Sequence, residues 1–565
     1  MRISGSPRGR PPGAEPVPAA VAVTRVDMLS SAMDKARSAP ADAGLPTTAT
    51  GQHSPGEHVY PDRLDARLFR IAGVCMLASV MSILDATIVS VAQRTFITEF
   101  DSTQAVVGWT MTGYTLALAT VIPVTGWAAD RFGTKRLWMG SILAFTLGSL
   151  LCALAPNILA LIAFRVIQGI GGGMLMPLGF TILTRVAGPK RLGRMMAVLG
   201  IPMLLGPICG PILGGWLIGA FSWPWIFLVN LPIGLIAFTL AALVFPKDQP
   251  APAESFDLVG VLLLSPGLAT FLFGISSIPG RGSVTDRYVA VPVIVGLMLV
   301  GLFGWHAWHR ADHPLLDLRL FTNRVFARAN LTFVTFAVAY FGAALLLPSY
   351  LQQVLHQTPM QSGVHLIPNG LGAMLTMPFA GAFMDRRGPG KSVLVGLTLI
   401  AAGLGIFVFG ASRQADYLPT LLVGLLVLGM GTGCTMMPLS GAAIQTLAPR
   451  EIARGSAVIS VTQQVGGSIG TALMSMILTN QFNRSENISV ANKIAALQQQ
   501  AVRHGVAVDP SVIPQQALAP DFASRVLHDL SHAYTVVFVI AVVLMVSTLI
   551  PAAFLPKTPA GTASI

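Results

Sequence analysis

Runs of 18 or more mostly apolar residues recur along almost the whole of this 565-residue chain. Each is long enough to cross a hydrocarbon layer about 30 Å thick. Backbone N–H and C=O groups find no partners in lipid, so runs of this length must be helices. Hydropathy predicts spans near 71–92, 106–129, 137–155, 158–184, 195–221, 225–245, 258–278, 289–308, 331–351, 363–384, 392–410, 418–437, 452–478 and 536–555. The expected fold class is an all-α polytopic membrane protein with about fourteen transmembrane helices. Composition agrees: 53% of residues are hydrophobic and 11% charged, with a mean hydropathy of +0.68, far from a soluble globular domain.

The net charge of +12 invites a nucleic-acid reading, but its basic residues are scattered through short loops, so no nucleic-acid partner is expected. Their distribution fixes topology instead. Arg131/Lys135/Arg136, Arg185/Lys190/Arg191/Arg194, Arg310/Arg319/Arg324/Arg328, Arg386/Arg387/Lys391 and Arg450/Arg454 fall on one side, and only Arg94, Arg281, Arg287 and Arg413 on the other. Positive charge gathers on the cytoplasmic face, so an even span count with both termini cytoplasmic is expected, in the cytoplasmic (inner) membrane. Residues 1–66 form a Pro-, Ala-, Gly- and Ser-rich tail, expected to be disordered and dispensable, without the apolar stretch of a secretory signal. Met28 and Met33 lie within it as alternative starts.

Cys75, Cys152, Cys209 and Cys434 sit on separate spans and read as small packing residues; His504, His528 and His532 lack tight metal spacing. No cofactor or metal is expected. Neither a phosphate-binding P-loop pattern nor a catalytic triad is present, so no catalytic residue is assigned, enzymatic activity is not expected, and an ion gradient is the expected energy source.

Asp85 lies deep inside the first span, in Ser82-Ile-Leu-Asp85-Ala-Thr-Ile-Val89. A charge at the centre of a membrane helix costs roughly 2.5–3.5 kcal/mol on insertion scales, so its default reading is functional. A repeat adds to this. Gly126-Trp-Ala-Ala-Asp130-Arg131-Phe-Gly133-Thr-Lys135-Arg136 follows the second span, and Gly381-Ala-Phe-Met-Asp385-Arg386-Arg387-Gly388 follows the tenth, 255 residues later. Gly215 and Gly470 share that offset. Two six-helix halves, 67–248 and 325–557, therefore flank a two-helix insert with its loops at 249–324, and a short cytoplasmic tail occupies 558–565. Parallel halves around a midplane site are a transporter plan.

These features resemble the major facilitator superfamily, in its fourteen-helix drug/proton antiporter branch of EmrB/QacA type. The likeness runs from about 68 to 478. It rests on Leu84-Asp85-Ala-Thr87-Ile-Val89, on Gly126 to Arg136, and on Arg165-Val-Ile-Gln168-Gly-Ile-Gly-Gly-Gly173. Gly206-Pro207-Ile-Cys-Gly210-Pro211-Ile-Leu-Gly214-Gly215 and Trp225-Ile-Phe-Leu-Val-Asn230-Leu-Pro-Ile-Gly234 complete it. The chain departs from the branch at Ser222-Trp-Pro-Trp225, where a basic residue is usual, and at Ser90 and Gln93-Arg94. The resemblance implies a proton-coupled exporter of amphipathic drugs or other toxic compounds, working by alternating access. A dedicated exporter of one endogenous lipid or secondary metabolite is the alternative within transport, and a non-transporting receptor or scaffold the alternative outside it.

Asp85 can carry a proton, and Arg165 can tune it because guanidinium does not deprotonate. At about 1.5 Å per residue both lie roughly 10 Å from the outer ends of their spans. The resemblance implies that the first and fourth helices line a central cavity, so the two are expected to share its outer half, with Gln168 beside them. Arg165 also admits a purely structural reading, bonded to backbone carbonyls. Asp130 and Asp385, with Gly126, Gly133, Gly381, Gly388 and Arg386, read as a latch between the halves, and Arg131, Lys135 and Arg136 as anchors to the lipid surface. Gly206, Gly210 and Gly214 form a helix face without side chains, joined by Pro207, Pro211 and Gly215; it reads equally as a seal against leak and as ordinary close packing.

No midplane carboxylate appears in the second half, where Tyr340 stands at the position of Asp85. Trp109, Tyr114, Tyr340, Gln463 and Gln464 are further candidates for a cavity wall, although such residues are usual in any membrane core. The segment 479–531 is expected as an outward-facing polar loop with an amphipathic patch near Ile494 to Leu497. A periplasmic adaptor docking there is left open.

Overall fold

The structure is a computed structural model that describes residues 65–557 apart from 189–190, 249–254, 279–283, 311–313, 415–416, 449 and 505–513. Nearly all of the expected amino-terminal tail, the tail at 558–565, Lys190 and Arg281 lie outside the described residues, as do the side chains of Pro207 and Pro211.

The described residues contain no strand. The first half comprises α1 (Ala66–Glu99), α2 (Trp109–Phe132), α3 (Thr134–Ala153), α4 (Ile158–Ala187), α5 (Leu192–Ala220) and α6 (Asn230–Val244). The insert supplies α7 (Leu258–Ser276) and α8 (Arg287–His309). In the second half lie α9 (Arg324–Gln353), α10 (Ile367–Arg387), α11 (Pro389–Ser412), α12 (Leu422–Ile444), α13 (Ile452–Arg484), α14 (Glu486–His504) and α15 (Phe522–Ala553).

Eleven of the described helices are long and apolar enough to cross a membrane on their own composition. The other three expected spans are α2, α5 and α13, with 24, 29 and 33 residues. Length does not set α2 and α13 apart. Their faces carry hydroxyls and amides, such as Thr110, Thr112, Thr115 and Thr120 on α2 and Ser460, Gln463, Gln464 and Ser468 on α13. These are also bridging helices: α5 packs against α10 and α12, and α13 against α2 and α4, so they bury surface that other spans turn to lipid. Outward faces are apolar, as with Val291, Ile294, Met298 and Leu302 on α8, a surface no water-soluble protein leaves open.

The helix ends follow their side chains. Asp65, Asn157, Asp257 and Asn323 accept backbone N–H bonds at the starts of α1, α4, α7 and α9. Gly133 and Gly388 adopt φ of 90° and 83°, and each ends one helix and opens the next. The two copies of the repeated motif therefore make the same turn, one that only glycine enters without strain. The segment 479–531 differs from the expected loop. α13 continues to Arg484, α14 fills 486–504, and Asp529 of α15 accepts from Ser485 Oγ at 2.6 Å and Asn487 Nδ2 at 2.9 Å.

Candidate functional site

Asp85 and Arg165 form a direct ion pair, Arg165 Nη1 to Asp85 Oδ2 at 2.5 Å, and both side chains are wholly buried. The two are expected from sequence to share the outer half of one cavity; here they touch directly, with both side chains buried. Asp85 Oδ1 accepts from Gln168 Nε2 at 2.8 Å and from Asn230 Nδ2 at 3.0 Å. Ser149 Oγ accepts from the same two amides at 3.2 and 3.0 Å and donates to the Phe227 carbonyl at 3.0 Å. Arg165 donates further to Gln168 Oε1 at 2.7 Å and to the Thr110 carbonyl at 3.1 Å, and lies 4.1 Å from the Tyr114 ring centre. Five helices contribute: α1 Asp85, α2 Thr110 and Tyr114, α3 Ser149, α4 Arg165 and Gln168, and α6 Asn230. Small residues on α4 admit this crowding. A side chain at Gly169 or Gly173 would strike α2 backbone, and one at Gly171 would strike α3 backbone.

The cage has one chemical character at Asp85. Arginine only donates, so Gln168 must turn its oxygen to Arg165 and its NH2 to the carboxylate. Every protein group bonded to Asp85 is then an N–H donor. A protonated Asp85 would bring an O–H into a ring of donors, with no acceptor among the groups it touches. One polar atom is left over: Arg165 Nη2 is buried without a hydrogen-bond partner. The carbonyl-anchoring reading of Arg165 holds only in part, through Thr110.

From sequence Asn230 stood only within the 225–234 motif, with no role in the site, and Ser149 was not singled out. Asn230 stands as a polar residue in the apolar run 225–245, a signal that could have found it. Ser149 gave none, because serine is common in membrane helices.

The repeated motif joins elements at the other end of the bundle. Asp130 on α2 accepts from Arg185 Nη2 at 3.0 Å, within its own half. Asp385 on α10 accepts from Arg194 Nε on α5 at 3.1 Å, and this ion pair crosses between halves. Gly126 lets α2 approach α13, since an added Cβ would stand 3.1 Å from the Arg454 Cα. Lys135 has protein partners as well: its ammonium donates to the carbonyls of Ala242 at 2.6 Å and Phe245 at 3.2 Å and so closes the end of α6. Asp248, unmarked in the sequence, accepts from the backbone N–H of Lys135 at 2.8 Å and of Arg136 at 3.0 Å. The Asp248 side chain fills the space beside Gly133. Arg136 and Arg386 are exposed. In the second half Gly390 N–H donates to the Pro556 carbonyl at 3.0 Å, a backbone group doing what Asp248 does in the first.

The glycine face of α5 packs on α1. A Cβ at Gly206 would overlap Ile83, one at Gly210 would overlap Thr87, and one at Gly214 would press on Ile88. Thr87 Oγ1 donates to the Gly206 carbonyl at 3.1 Å. These α1 residues flank Asp85. Gly215 does not belong to the face, because a Cβ there meets nothing within 4 Å. It follows Gly214 by one residue, about 100° around the helix.

The remaining candidates do not converge on one wall. Trp109 is exposed and stacks on Phe273 of α7, with ring centres 5.5 Å apart, away from the Asp85 cage. Tyr114 is buried against Arg165. Tyr340 is buried in the second half, stacked on Phe336 at 5.3 Å. Gln463 and Gln464 are half-buried on α13. Among the described residues, Asp85 is the one carboxylate wholly buried in the bundle.

Eleven described helices long and apolar enough to cross a membrane, an apolar outer surface and a charged pair sealed among helices define a polytopic membrane protein. Residues 75–471 match the sequence profile of the Major Facilitator Superfamily, and the chain belongs to that family. It is 67% identical over 534 residues to the "Multidrug resistance protein B homolog" of Mycobacterium tuberculosis (strain ATCC 25618 / H37Rv), covering 94% of this chain and 98% of that relative. The "Multidrug export protein EmrB" of Escherichia coli (strain K12) is 31% identical over 421 residues, covering 72% and 79% of the two chains. The fold also matches the human organic anion transporter MFSD10 (TETRAN), with a TM-score of 0.55 and 15% identity over 85% of this chain and all of that one. The proton:xylose symporter XylE likewise gives 0.55, with 14% identity over 88% and 98% of the chains.

Proposed function

We propose that this protein is a proton-coupled antiporter that exports amphipathic compounds across the cytoplasmic membrane by alternating access. The names of its relatives, multidrug resistance and multidrug export proteins, support the substrate class. The observation that carries the coupling is the donor-only cage around Asp85. With every bond to the carboxylate supplied by an N–H donor, a proton is taken up only after the cage opens. Closing the cage again expels it. Protonation and conformation are thereby tied together, which is the requirement for coupling. Arg194 and Asp385 hold one end of the two halves shut in the state described here, and their release accompanies opening on that side. Both termini are assigned to the cytoplasm by the charge bias of the loops.

The test is Asp85→Asn in proteoliposomes, with insertion measured alongside. Substrate-driven proton flux is expected to fall at least about a hundredfold, the low end of what a positioned proton-transfer group typically contributes. Coupled flux at the unsubstituted level, in a variant inserted normally, would overturn the assignment of Asp85 as carrier.

A further inference from the structure

The insert helix α7 is fastened to both halves. Ser265 Oγ donates to the Thr120 carbonyl of α2 at 2.7 Å, and Phe273 stacks on Trp109. Phe271 and Leu272 pack in one apolar cluster with Ala119 of α2 and Ala472 of α13. Where α2, α7, α9 and α13 meet, they line a half-open cavity of about 250 Å³. Its walls are apolar except for six hydroxyls: Thr112 and Thr115 from α2, Ser276 from α7, and Ser468, Thr471 and Ser475 from α13.

No ionisable side chain lines it, and no member of the Asp85 cage reaches it. Three of the hydroxyls commit their protons to their own helices: Thr115 to the Met111 carbonyl, Ser276 to that of Phe273, and Thr471 to that of Ser468. They offer acceptor lone pairs to a guest. Thr112, Ser468 and Ser475 are placed to donate. An apolar wall with a few hydrogen-bonding points is the usual form of a small-molecule site. Without a carboxylate, it has nothing to offset the desolvation of a cation.

We propose that this cavity binds an uncharged amphiphile, with the insert helix α7 completing the wall that makes it a site. The proposal names a substrate class for the export reading and rests on that reading for transport, but not for binding.

Two dyes separate the alternatives: Nile red, an uncharged amphiphile, and ethidium, a permanent cation. With the full-length protein in lipid nanodiscs, Thr471→Phe fills the cavity from α13, and Ser276→Cys places a reporter thiol on α7. Thr471→Phe is expected to weaken Nile red binding at least about tenfold and to leave ethidium binding within about twofold, the pattern of a site-specific loss of contact. Nile red is expected to slow thiol labelling at Ser276→Cys severalfold, and ethidium is not. Unchanged Nile red binding in Thr471→Phe, an equal loss of both dyes, or the absence of protection at Ser276→Cys would each overturn the site. If Thr471→Phe does not fold, protection at Ser276→Cys decides. If the unsubstituted protein moves neither dye uphill yet shows this binding pattern, the export reading fails and the site stands.

Discussion

Asp85→Asn changes one atom type at a place where the structure says that atom matters. The carboxylate presents two acceptor oxygens, one to Arg165 and one to Gln168 and Asn230 together. An amide has one acceptor. In one orientation its NH2 faces the guanidinium, and in the other it faces two side-chain amides that are already donating. Removing one partner of a buried ion pair costs about 3–5 kcal/mol. Arg165 keeps Thr110, Gln168 and the face of Tyr114, so the lower end, about 3 kcal/mol, applies here. For a folded body larger than 250 residues, that corresponds to a Tm lowered by about 3–6 °C. Thermal unfolding of the purified protein in detergent measures it. Arg165→Met then gives the control, because the double variant removes both charges. Its loss is expected to fall short of the sum of the single losses by about 2 kcal/mol, the signature of coupled neighbours. A Tm for Asp85→Asn within about 1 °C of the unsubstituted protein, with additive losses in the double variant, would refute the charged cage.

Three further outcomes follow from named contacts. Arg194→Ala removes an ion pair between the halves; with Arg194 one-third exposed the loss is about 1 kcal/mol, or about a fivefold shift toward separation of α5 and α10. Spin-label distances between those helix ends report it, and an unchanged distribution would count against the latch. Gly210→Ala drives a methyl group into Thr87 and is expected to cost about 1–3 kcal/mol, while Gly215→Ala, with open space around it, leaves the Tm unchanged. Asp248→Ala releases two backbone N–H groups at the start of α3 and is expected to cost about 1 kcal/mol in thermal unfolding, whereas Asp248→Asn retains part of the cap.

The membrane architecture was legible because lipid enforces it: span length, loop charge and the doubled Gly-x3-Asp-Arg-x-Gly motif all survive in one dimension. Asp85 and Arg165 were legible for the same reason, since each is an expense that apolar surroundings do not tolerate unpaired. What completes the cage was not. Ser149 and Asn230 are neutral and cheap to bury, so their meeting with Gln168 depends on how α3, α4 and α6 pack. The charge of Lys135 was legible, but its partners, the carbonyls of Ala242 and Phe245, leave no mark in a sequence. Gly215 misled through adjacency: it continues the string of glycines but points off the face they make.

α5 connects the two charged sites. Arg194 near its start holds Asp385 across the halves, and farther along the same helix Gly206, Gly210 and Gly214 rest on α1 around Asp85. A helix transmits displacement along its axis because its backbone bonds are internal. Movement of α5 that parts Arg194 from Asp385 must therefore be taken up where its bare face meets Ile83, Thr87 and Ile88. Among the described residues of α5, Leu213 and Leu217 share an apolar cluster with Ile88 and Val89 of α1, and the bond from Thr87 to the Gly206 carbonyl crosses the same contact. At the glycines themselves α5 presents no side chain to α1, while Asp85, within one turn of these residues, is bonded to α4 and α6. Filling that face ought then to separate the two functions. Gly210→Ala would impede the movement of the latch while leaving every donor to Asp85 in place, whereas Asp85→Asn would empty the cage while leaving the latch free.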